Sequence, residues 1–360
     1  MTFSPAERRA MTRALELART PGVPLGPNPR VGCVLLGPDG VVVAEGYHRG
    51  AGTPHAEADA LARAGAAARG TTAVVTLEPC DHTGRTGPCS RALVDAGVAR
   101  VVLAQPDPNP DAAGGTATLL AAGVDVEAGL LAAEAEHVNR AWTFALAHHR
   151  PLVTWKLAAT LDGRSAAADG TSRWISSPAA RLDTHRLRAE ADVILAGTGT
   201  VLTDDPELTV RDAAGHPVRH QPLRAVMGTR AVPPNRRVLN DVAETVVLAT
   251  RDASAALTDL YARGRRHVFL EGGPTLAAAF LRAGLVDEVI AYVAPVLLGA
   301  GTSAVADLGV TTMADAVRFA VREVTVVGGG DDANARFTLT PHPIAGDRTP
   351  TDDRPPAKES

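Results

Sequence analysis

A histidine, a glutamate and two cysteines form the pattern with the most evident chemistry in this sequence. His55 and Glu57 belong to the tripeptide His-Ala-Glu, Cys80 follows a proline, and Cys89 comes nine residues later. One imidazole and two thiolates are a three-ligand set for Zn²⁺ that leaves the fourth position open to water. Zinc held in this way lowers the pKa of that water, so hydroxide is available near neutral pH. The pattern therefore predicts a hydrolytic zinc site.

Glu57 is predicted to carry a proton in this site without being a ligand. It follows His55 by two residues at the start of a predicted helix, where its carboxylate can face the water on the metal. From there it would take a proton and pass it to a leaving amine. Zinc deaminases that act on nucleobases have H-x-E followed by P-C-x-x-C. Here eight residues separate the two cysteines, which departs from that nucleic-acid-editing pattern.

The elements around these residues alternate between strands and helices. Two apolar runs at 31–36 and 41–46, joined by Gly-Pro-Asp-Gly, predict a hairpin. A helix predicted over 55–68 carries His55 and Glu57, and a second helix begins near Cys89, where its dipole favours a thiolate. Further strands and helices follow to about residue 149. The order predicts a layered α/β domain whose sheet the hairpin makes mixed.

The same alternation restarts near residue 150 and predicts a second α/β domain. We therefore expect a first domain over 1–149, a second over 150–340 and a tail over 341–360. The tail is rich in proline and poor in apolar residues, which is typical of disorder. Within the second domain, Glu271-Gly-Gly-Pro follows an apolar strand and precedes a helix. A glycine turn at a helix N-terminus lets a backbone approach a phosphate, although such turns are also common without a ligand.

Composition excludes several classes of protein. The 360 residues carry a net charge of −4 and only 3% aromatics, unlike a nucleic-acid binder. Three cysteines are too few for a disulfide framework and favour a reducing compartment. No run approaches the ~18 apolar residues of a membrane span, and the charged N-terminus has no apolar signal core. We expect a cytoplasmic enzyme with a small-molecule substrate, no nucleic-acid or membrane partner, and a homo-oligomeric state.

Four N-terminal segments resemble the bifunctional deaminase–reductase of riboflavin biosynthesis. They are PNPRVGCV (27–34), GYHRGAGTPHAEADAL (46–61), TLEPCDHTGRTGPC (76–89) and QPDPNP (105–110). The resemblance implies a cytidine-deaminase-like three-layer α/β/α domain that deaminates a ribosylaminopyrimidine phosphate. It also implies that His55, Cys80 and Cys89 bind one Zn²⁺ and that Glu57 is catalytic. Asn28 and His48 are candidate substrate contacts, with a structural turn or cap as the alternative for each.

Four C-terminal segments resemble the reductase of the same family. They are TWKLAATLDGRSA (154–166), SRWISSP (172–178), LAGTGTVLTDDPELTVR (195–211) and EGGPTLAAAFLRAGLVDE (271–288). The resemblance implies a dihydrofolate-reductase-like domain that uses NADPH to reduce the ribosyl group to ribityl. Its cofactor positions correspond here to Ala158, Trp174, Thr200, Thr229, Gly273, Pro274, Thr275, Leu276, Ala277, Ala278 and Ala279. Its substrate positions correspond to Ser172, Arg188, Asp204, Leu208, Arg211 and Glu271.

Three residues of the second domain stand out further. The chain has 34 arginines and only two lysines, so Lys156 in a predicted core strand suggests a role that a guanidinium cannot fill, such as a compact donor beside the sugar. Chance survival of one lysine is the alternative. Arg188 and Arg211 suit a ribose phosphate because guanidinium binds phosphate in a bidentate manner.

Two positions depart from the family. Gly228-Thr229 stands where the family usually has Asp-Ser, which puts the function of the missing carboxylate in doubt. Gly87 replaces a second proline, and we expect that change to be harmless.

Parts of the pattern are also compatible with two other functions. The first is a nucleic-acid base deaminase with an accessory domain, which the charge and the cysteine spacing disfavour. The second is a structural zinc protein with Cys33 as a fourth ligand. Structural sites are usually closed by four ligands, whereas Cys33 lies in an apolar strand typical of an inert buried thiol and Glu57 lies beside His55.

Overall fold

The computed structural model describes residues 3–82, 87–172 and 175–342. The described chain forms two compact units. The first contains the residues up to Leu152 together with Arg219–Gln221 and Leu257–His267, and the second contains the remainder. Apart from Pro341 and His342, the predicted tail lies outside the described residues. No helix in the described part has the length and apolar character needed to cross a membrane.

The first unit is built on one five-stranded sheet. In chain order its elements are α1 (Pro5–Ala18), β1 (Gly32–Leu36), β2 (Val42–Tyr47), α2 (Ala56–Ala64), β3 (Thr72–Val75), α3 (Cys89–Asp95), β4 (Arg100–Leu103), α4 (Gly115–Ala121), β5 (Asp125–Ala128) and α5 (Ala132–His148). The strand order is β2-β1-β3-β4-β5. β1 pairs antiparallel with both neighbours, whereas β3, β4 and β5 are parallel. The hairpin therefore makes the sheet mixed, as the sequence predicts.

Helices cover both faces of this sheet. Cys33 and Leu35 of β1 pack into a core with α2, α3 and α4, while Val34 and Leu36 pack with α1 and α5. Successive strand residues point to opposite faces, so a strand covered on both sides is apolar throughout. This explains why β1 has no polar alternation, and it confirms the predicted three layers.

The second unit is built on an eight-stranded sheet. The elements from residue 152 onward are β6 (Leu152–Thr160), β7 (Arg164–Ala166), α6 (Pro178–Ala189), β8 (Val193–Gly197), α7 (Thr198–Asp204), β9 (Leu223–Met227), β10 (Thr245–Leu248), α8 (Ala253–Ala262), β11 (His267–Leu270), α9 (Pro274–Arg282), β12 (Glu288–Ala294), β13 (Thr302–Ser303), β14 (Phe319–Val327) and β15 (Asn334–Pro341). Of these, Leu152, His267 and the part of α8 from Leu257 onward belong to the first unit. The sheet order is β10-β9-β8-β11-β6-β12-β15-β14, and β7 pairs with β13 separately. Strands β8, β9 and β10 are parallel, while β15 is antiparallel to β12 and β14.

The predicted fold class is confirmed, and the differences are local. The segment TAVVTLEP (72–79) has the composition of a strand, but β3 ends at Val75 and the chain then turns toward Cys80. The helix predicted over 55–68 is α-helical only to Ala64 and continues as a 3₁₀ turn. The short helix α7 was not predicted, because Thr-Gly-Thr after a strand has weak helical propensity.

Candidate active sites

The three predicted metal ligands converge in the first unit. The ligand atoms of His55, Cys80 and Cys89 all lie within 4.8 Å of one another. His55 Nδ1 is 3.5 Å from the Cys80 Sγ and 3.3 Å from the Cys89 Sγ. Ideal Zn–N and Zn–S bonds in a tetrahedron place such atoms about 3.6 Å apart. The donor set and its spacing therefore fit Zn²⁺.

Two helix starts hold these ligands. His55 precedes the first residue of α2, and Cys89 is the first residue of α3. Gly46 on β2 lets α2 come close, because a Cβ there would lie 2.3 Å from the carbonyl oxygen of Ala56. The backbone N–H of Cys89 also donates to the Cys80 Sγ over 3.5 Å. Backbone geometry thus fixes ligands that come from distant parts of the sequence.

The side chains of Cys80 and Cys89 are hydrogen-bonded to each other. Their mutual hydrogen bond lowers the pKa of Cys80 to about 4 and raises the pKa of Cys89. Two adjacent thiolates repel each other unless a cation lies between them. By contrast, Cys33 is fully buried in the sheet, and burial raises its pKa well above the ordinary value. Cys33 is not part of the ligand cluster, in agreement with its interpretation as an inert thiol.

Glu57 lies beside the ligands in the first turn of α2. It is only 4% exposed, and burial is the main cause that raises its pKa to about 7. It is also hydrogen-bonded to the side chain of Cys89. A buried carboxylate next to a three-ligand cluster is the arrangement expected of a proton carrier.

A cavity of about 190 Å³ opens onto this cluster. Asn28 and His48 both line it, and the Asn28 Nδ2 is 3.1 Å from the His48 Nε2. The other ring nitrogen of His48 is 3.0 Å from the Pro54 carbonyl oxygen, to which it donates. His48 Nε2 then accepts from the Asn28 amide, so His48 orients Asn28 at the cavity wall.

The cavity wall also contains residues that sequence reasoning did not assign. Asp107, Asn109 and His82 line it. Burial raises the pKa of Asp107 to about 6, and Asp107 accepts from the Asn109 backbone N–H. Asp107 and Asn109 belong to the motif QPDPNP, which was the sequence signal that could have identified them. Nothing in the sequence alone assigned them a role.

The second unit contains a cleft of about 740 Å³ at the carboxyl ends of its parallel strands. This is where ligands bind in open α/β sheets, and the volume is in the range of small-molecule sites. Of the predicted cofactor residues, the cleft is lined by Thr200, Thr229, Gly273, Pro274, Thr275, Leu276 and Ala279. No described side chain caps the N-terminus of α9 at Gly273, so its backbone is open to a phosphate.

Four predicted cofactor residues are not seen on this cleft. Ala277 and Ala278 are fully buried in α9. Ala158 is half-buried in β6, and Trp174 lies outside the described residues. Conversely, Arg230, Thr250, Arg251 and Arg282 line the cleft without having been predicted.

Lys156, Arg188 and Glu271 form a charged cluster in the same unit. Arg188 donates from Nε and Nη2 to the two carboxylate oxygens of Glu271, over 2.5 and 2.9 Å. Its Nη1 donates to the Thr209 carbonyl oxygen over 2.7 Å. Burial raises the pKa of Glu271, but the charge of Arg188 and its hydrogen bonds outweigh that effect and lower it. Burial also lowers the pKa of Lys156, which the nearby Glu271 opposes.

The remaining substrate candidates are more dispersed. Arg211 donates to Thr209 and forms an ion pair with Glu207, and its backbone N–H donates to His185. Asp204 is the last residue of α7. Leu208 is buried and has a φ of 51°, an uncommon conformation for a branched residue. Ser172 is exposed.

Gly228 explains the departure from Asp-Ser in physical terms. It follows β9 with a φ of +146°, in the left-handed region that favours glycine. A Cβ at this position would lie 2.4 Å from the Thr198 Oγ1. This backbone therefore does not accommodate aspartate, and the cleft lining contains no acidic residue among those described. Thr229 keeps its hydroxyl on the cleft.

Two family models match the chain. The cytidine and deoxycytidylate deaminase zinc-binding region matches residues 5–105, and the RibD C-terminal domain matches residues 151–330. The first range contains all three predicted zinc ligands, and the second contains the cleft and the charged cluster.

Several known proteins are similar to this chain over most of their length. The chain is 52% identical over 303 residues to riboflavin biosynthesis protein RibD of Mycobacterium tuberculosis, covering 84% of this chain and 89% of that protein. It is 44% identical to RibD of Escherichia coli, and the match covers 88% of this chain and 96% of that protein. The structure of Acinetobacter baumannii RibD is similar, with a TM-score of 0.80 and 38% sequence identity. The match covers 94% of this chain and 99% of that chain.

Proposed function

The chain belongs to the RibD family, and from that premise we propose which residues carry out its two reactions. It is a bifunctional enzyme of riboflavin biosynthesis, with a zinc-dependent deaminase and an NADPH-dependent reductase. We propose that its substrate is 2,5-diamino-6-ribosylamino-4(3H)-pyrimidinone 5′-phosphate. The observation that carries the proposal is the convergence of His55, Cys80 and Cys89 beside the buried Glu57.

In the deaminase, His55, Cys80 and Cys89 would hold Zn²⁺, which when bound supplies a water of lowered pKa. The Glu57 carboxylate accepts a proton from the attacking water. It then delivers that proton to the amine on the pyrimidine ring. The carbon–oxygen bond forms, the carbon–nitrogen bond breaks, and the amine leaves as ammonia.

The cavity residues would orient the pyrimidine. His48 fixes the Asn28 amide, so Asn28 can offer its oxygen to a ring N–H or an amino group. Asp107 and Asn109 lie on the same cavity and offer further polar partners. The cavity volume of about 190 Å³ is sufficient for one pyrimidine ring.

In the reductase, NADPH when bound would supply a hydride to C1′ of the ribosyl group. The bond between C1′ and the ring oxygen breaks and that oxygen takes a proton, which opens the sugar to the ribityl chain. Thr200, Thr229 and the turn at Gly273 line the cleft where the cofactor would lie. We propose that Lys156 and Glu271 contact the sugar, with Arg188 holding the Glu271 carboxylate in place through two hydrogen bonds. Ser172, Asp204, Leu208 and Arg211 complete the proposed substrate contacts.

The proposal is tested with the zinc-loaded protein, the diaminopyrimidine substrate and mass spectrometry. Without NADPH we expect only the deaminated product, and with NADPH the product with a ribityl chain. Glu57→Gln should lose deamination by about 10²-fold or more, while the reductase in the same chain still acts on pre-deaminated substrate and serves as internal control. Wild-type deamination by this variant would refute the assigned role of Glu57.

The net charge and one exposed strand bear on the cellular context of the enzyme. We propose a cytoplasmic enzyme with no nucleic-acid or membrane partner, supported by a net charge of −4. We propose a homo-oligomer because the edge strand β14 exposes Val321, Val324 and Val326, each more than half accessible. Light scattering on the purified protein tests this state. Salt-dependent RNA binding would instead favour the nucleic-acid deaminase.

A further inference from the structure

Two arginines of the cofactor cleft have no role in either of the two proposed reactions. Arg230 and Arg251 are exposed and line the cleft. Neither makes a hydrogen bond or an ion pair with any residue that the structure describes. Arg282 lines the same cleft, but its Nη1 donates to the Asp307 carbonyl oxygen over 2.6 Å. Two guanidinium groups therefore remain available to a ligand.

The two arginines occupy equivalent places on neighbouring strands. β9 and β10 are parallel, with Met227 of β9 paired with Leu248 of β10. Each arginine comes three residues after its member of this pair. Parallel strands that end together place their following loops side by side, about 4.8 Å apart. Arg230 and Arg251 thus belong to one edge of the sheet.

The loops that carry the two arginines are separated, along the sheet edge, from the turn that precedes α9. The sheet order β10-β9-β8-β11 places β9 two strands from β11, and β10 three strands from it. At the usual strand spacing, the arginine loops lie about 10 to 15 Å along the edge from the turn at Gly273. A dinucleotide with its pyrophosphate at that turn would reach the arginines with its adenosine end.

We propose that Arg230 and Arg251 bind the 2′-phosphate of NADPH and make the reductase select NADPH over NADH. The inference rests on the proposed reductase function and adds the basis of its cofactor choice. A phosphate monoester carries close to two negative charges near neutral pH, and guanidinium is its preferred bidentate partner. No acidic residue is found among the described cleft residues to compete for the guanidinium groups.

The test measures binding to the full-length, zinc-loaded protein by calorimetry. The ligands are NADPH, NADH, 2′,5′-ADP and 5′-AMP, so the readout does not depend on turnover. Arg230→Gln and Arg251→Gln should each weaken NADPH and 2′,5′-ADP binding by about tenfold, which is 1.4 kcal/mol. Affinity for NADH and 5′-AMP should change less than about twofold. The double variant should bind NADPH and NADH nearly alike.

Arg282→Gln is the matched control, since it removes the same charge from the same cleft. If the arginines act only through general attraction of anions, all three variants will weaken NADPH and NADH binding alike, and the proposal is wrong. Unchanged 2′,5′-ADP affinity in the double variant also overturns it. Failure of the proposed function would give a different result, because the wild-type protein would then bind neither cofactor and would not reduce the ribosyl substrate.

Discussion

The ion pair between Arg188 and Glu271 offers a sharp test of how the reductase site is held together. The Arg188 side chain is 15% exposed and that of Glu271 is 10% exposed, and two hydrogen bonds join them. Removing one partner of a buried pair costs about 3–5 kcal/mol, because the other charge remains buried without compensation. Lys156 lies near Glu271 and offsets part of that cost. We therefore expect Arg188→Met to lower the free energy of unfolding by about 3 kcal/mol.

The double variant Arg188→Met with Glu271→Gln should recover part of this loss. Replacing both charges removes the need to bury an unpaired carboxylate, so the effects of the two single changes should not add. We expect a coupling free energy above about 1.5 kcal/mol. Calorimetry of the full-length protein measures it, with the reductase transition identified by its upward shift with added NADPH.

The pH dependence provides an independent check. Arg188 lowers the pKa of Glu271, so this pair stabilises the fold above the ordinary carboxyl pKa and loses that effect as pH falls through the lower folded-state pKa. Without Arg188, burial dominates and the pKa of Glu271 rises. The destabilisation by Arg188→Met should then be smaller at pH 5 than at pH 8. Additive single effects within about 0.5 kcal/mol, or no pH trend, would refute this reasoning.

Three further outcomes are expected. Cys89→Ala should lose zinc by metal analysis, whereas Cys33→Ala should retain one zinc per chain; the reverse result would refute the ligand set. Lys156→Arg should reduce kcat/KM for the ribosyl substrate with deamination intact, and unchanged reduction would mean that no compact ammonium is needed. Burial raises the pKa of Glu7, but hydrogen bonds from Ser4 and Arg100 outweigh this and lower it. Its stabilisation is thus present above about pH 4.5 and lost on acidification, so Glu7→Gln should cost about 1–2 kcal/mol at pH 7 and weaken the acid dependence of unfolding.

The zinc site could be predicted from the sequence because its chemistry depends on the residue types of the ligands. Thiolate ligands are rare in this chain, which has only three cysteines, and a helix start beside each half of the motif restricts where the ligands can lie. The packing of β1 was also predictable, since an unbroken apolar run fits a strand covered on both faces. The orientation of Asn28 by His48 was not, because it depends on the Pro54 carbonyl, which any residue would supply.

The reductase contacts show a different limit. Arg188 looked like a phosphate ligand by residue type, but in the structure three of its N–H groups are engaged by Glu271 and Thr209. Whether an arginine is available to a ligand depends on its acceptors within the fold, and these are 21 and 83 residues away in sequence. In a chain with 34 arginines, residue type alone therefore does not separate a ligand-binding guanidinium from a structural one.

Strand order supplies the missing information for the cofactor cleft. Sequence alone draws attention to the glycine turn after β11, because glycine, proline and a helix start coincide there. The cleft, however, is assembled from the ends of β11, β8, β9 and β10, which are neighbours in the sheet although β11 comes last of the four in the chain. Arg230 and Arg251 become neighbours only because Met227 and Leu248 pair in parallel register. Both arginines lie in loops three residues beyond that pair, so the proposed phosphate contact depends on backbone pairing as much as on either side chain.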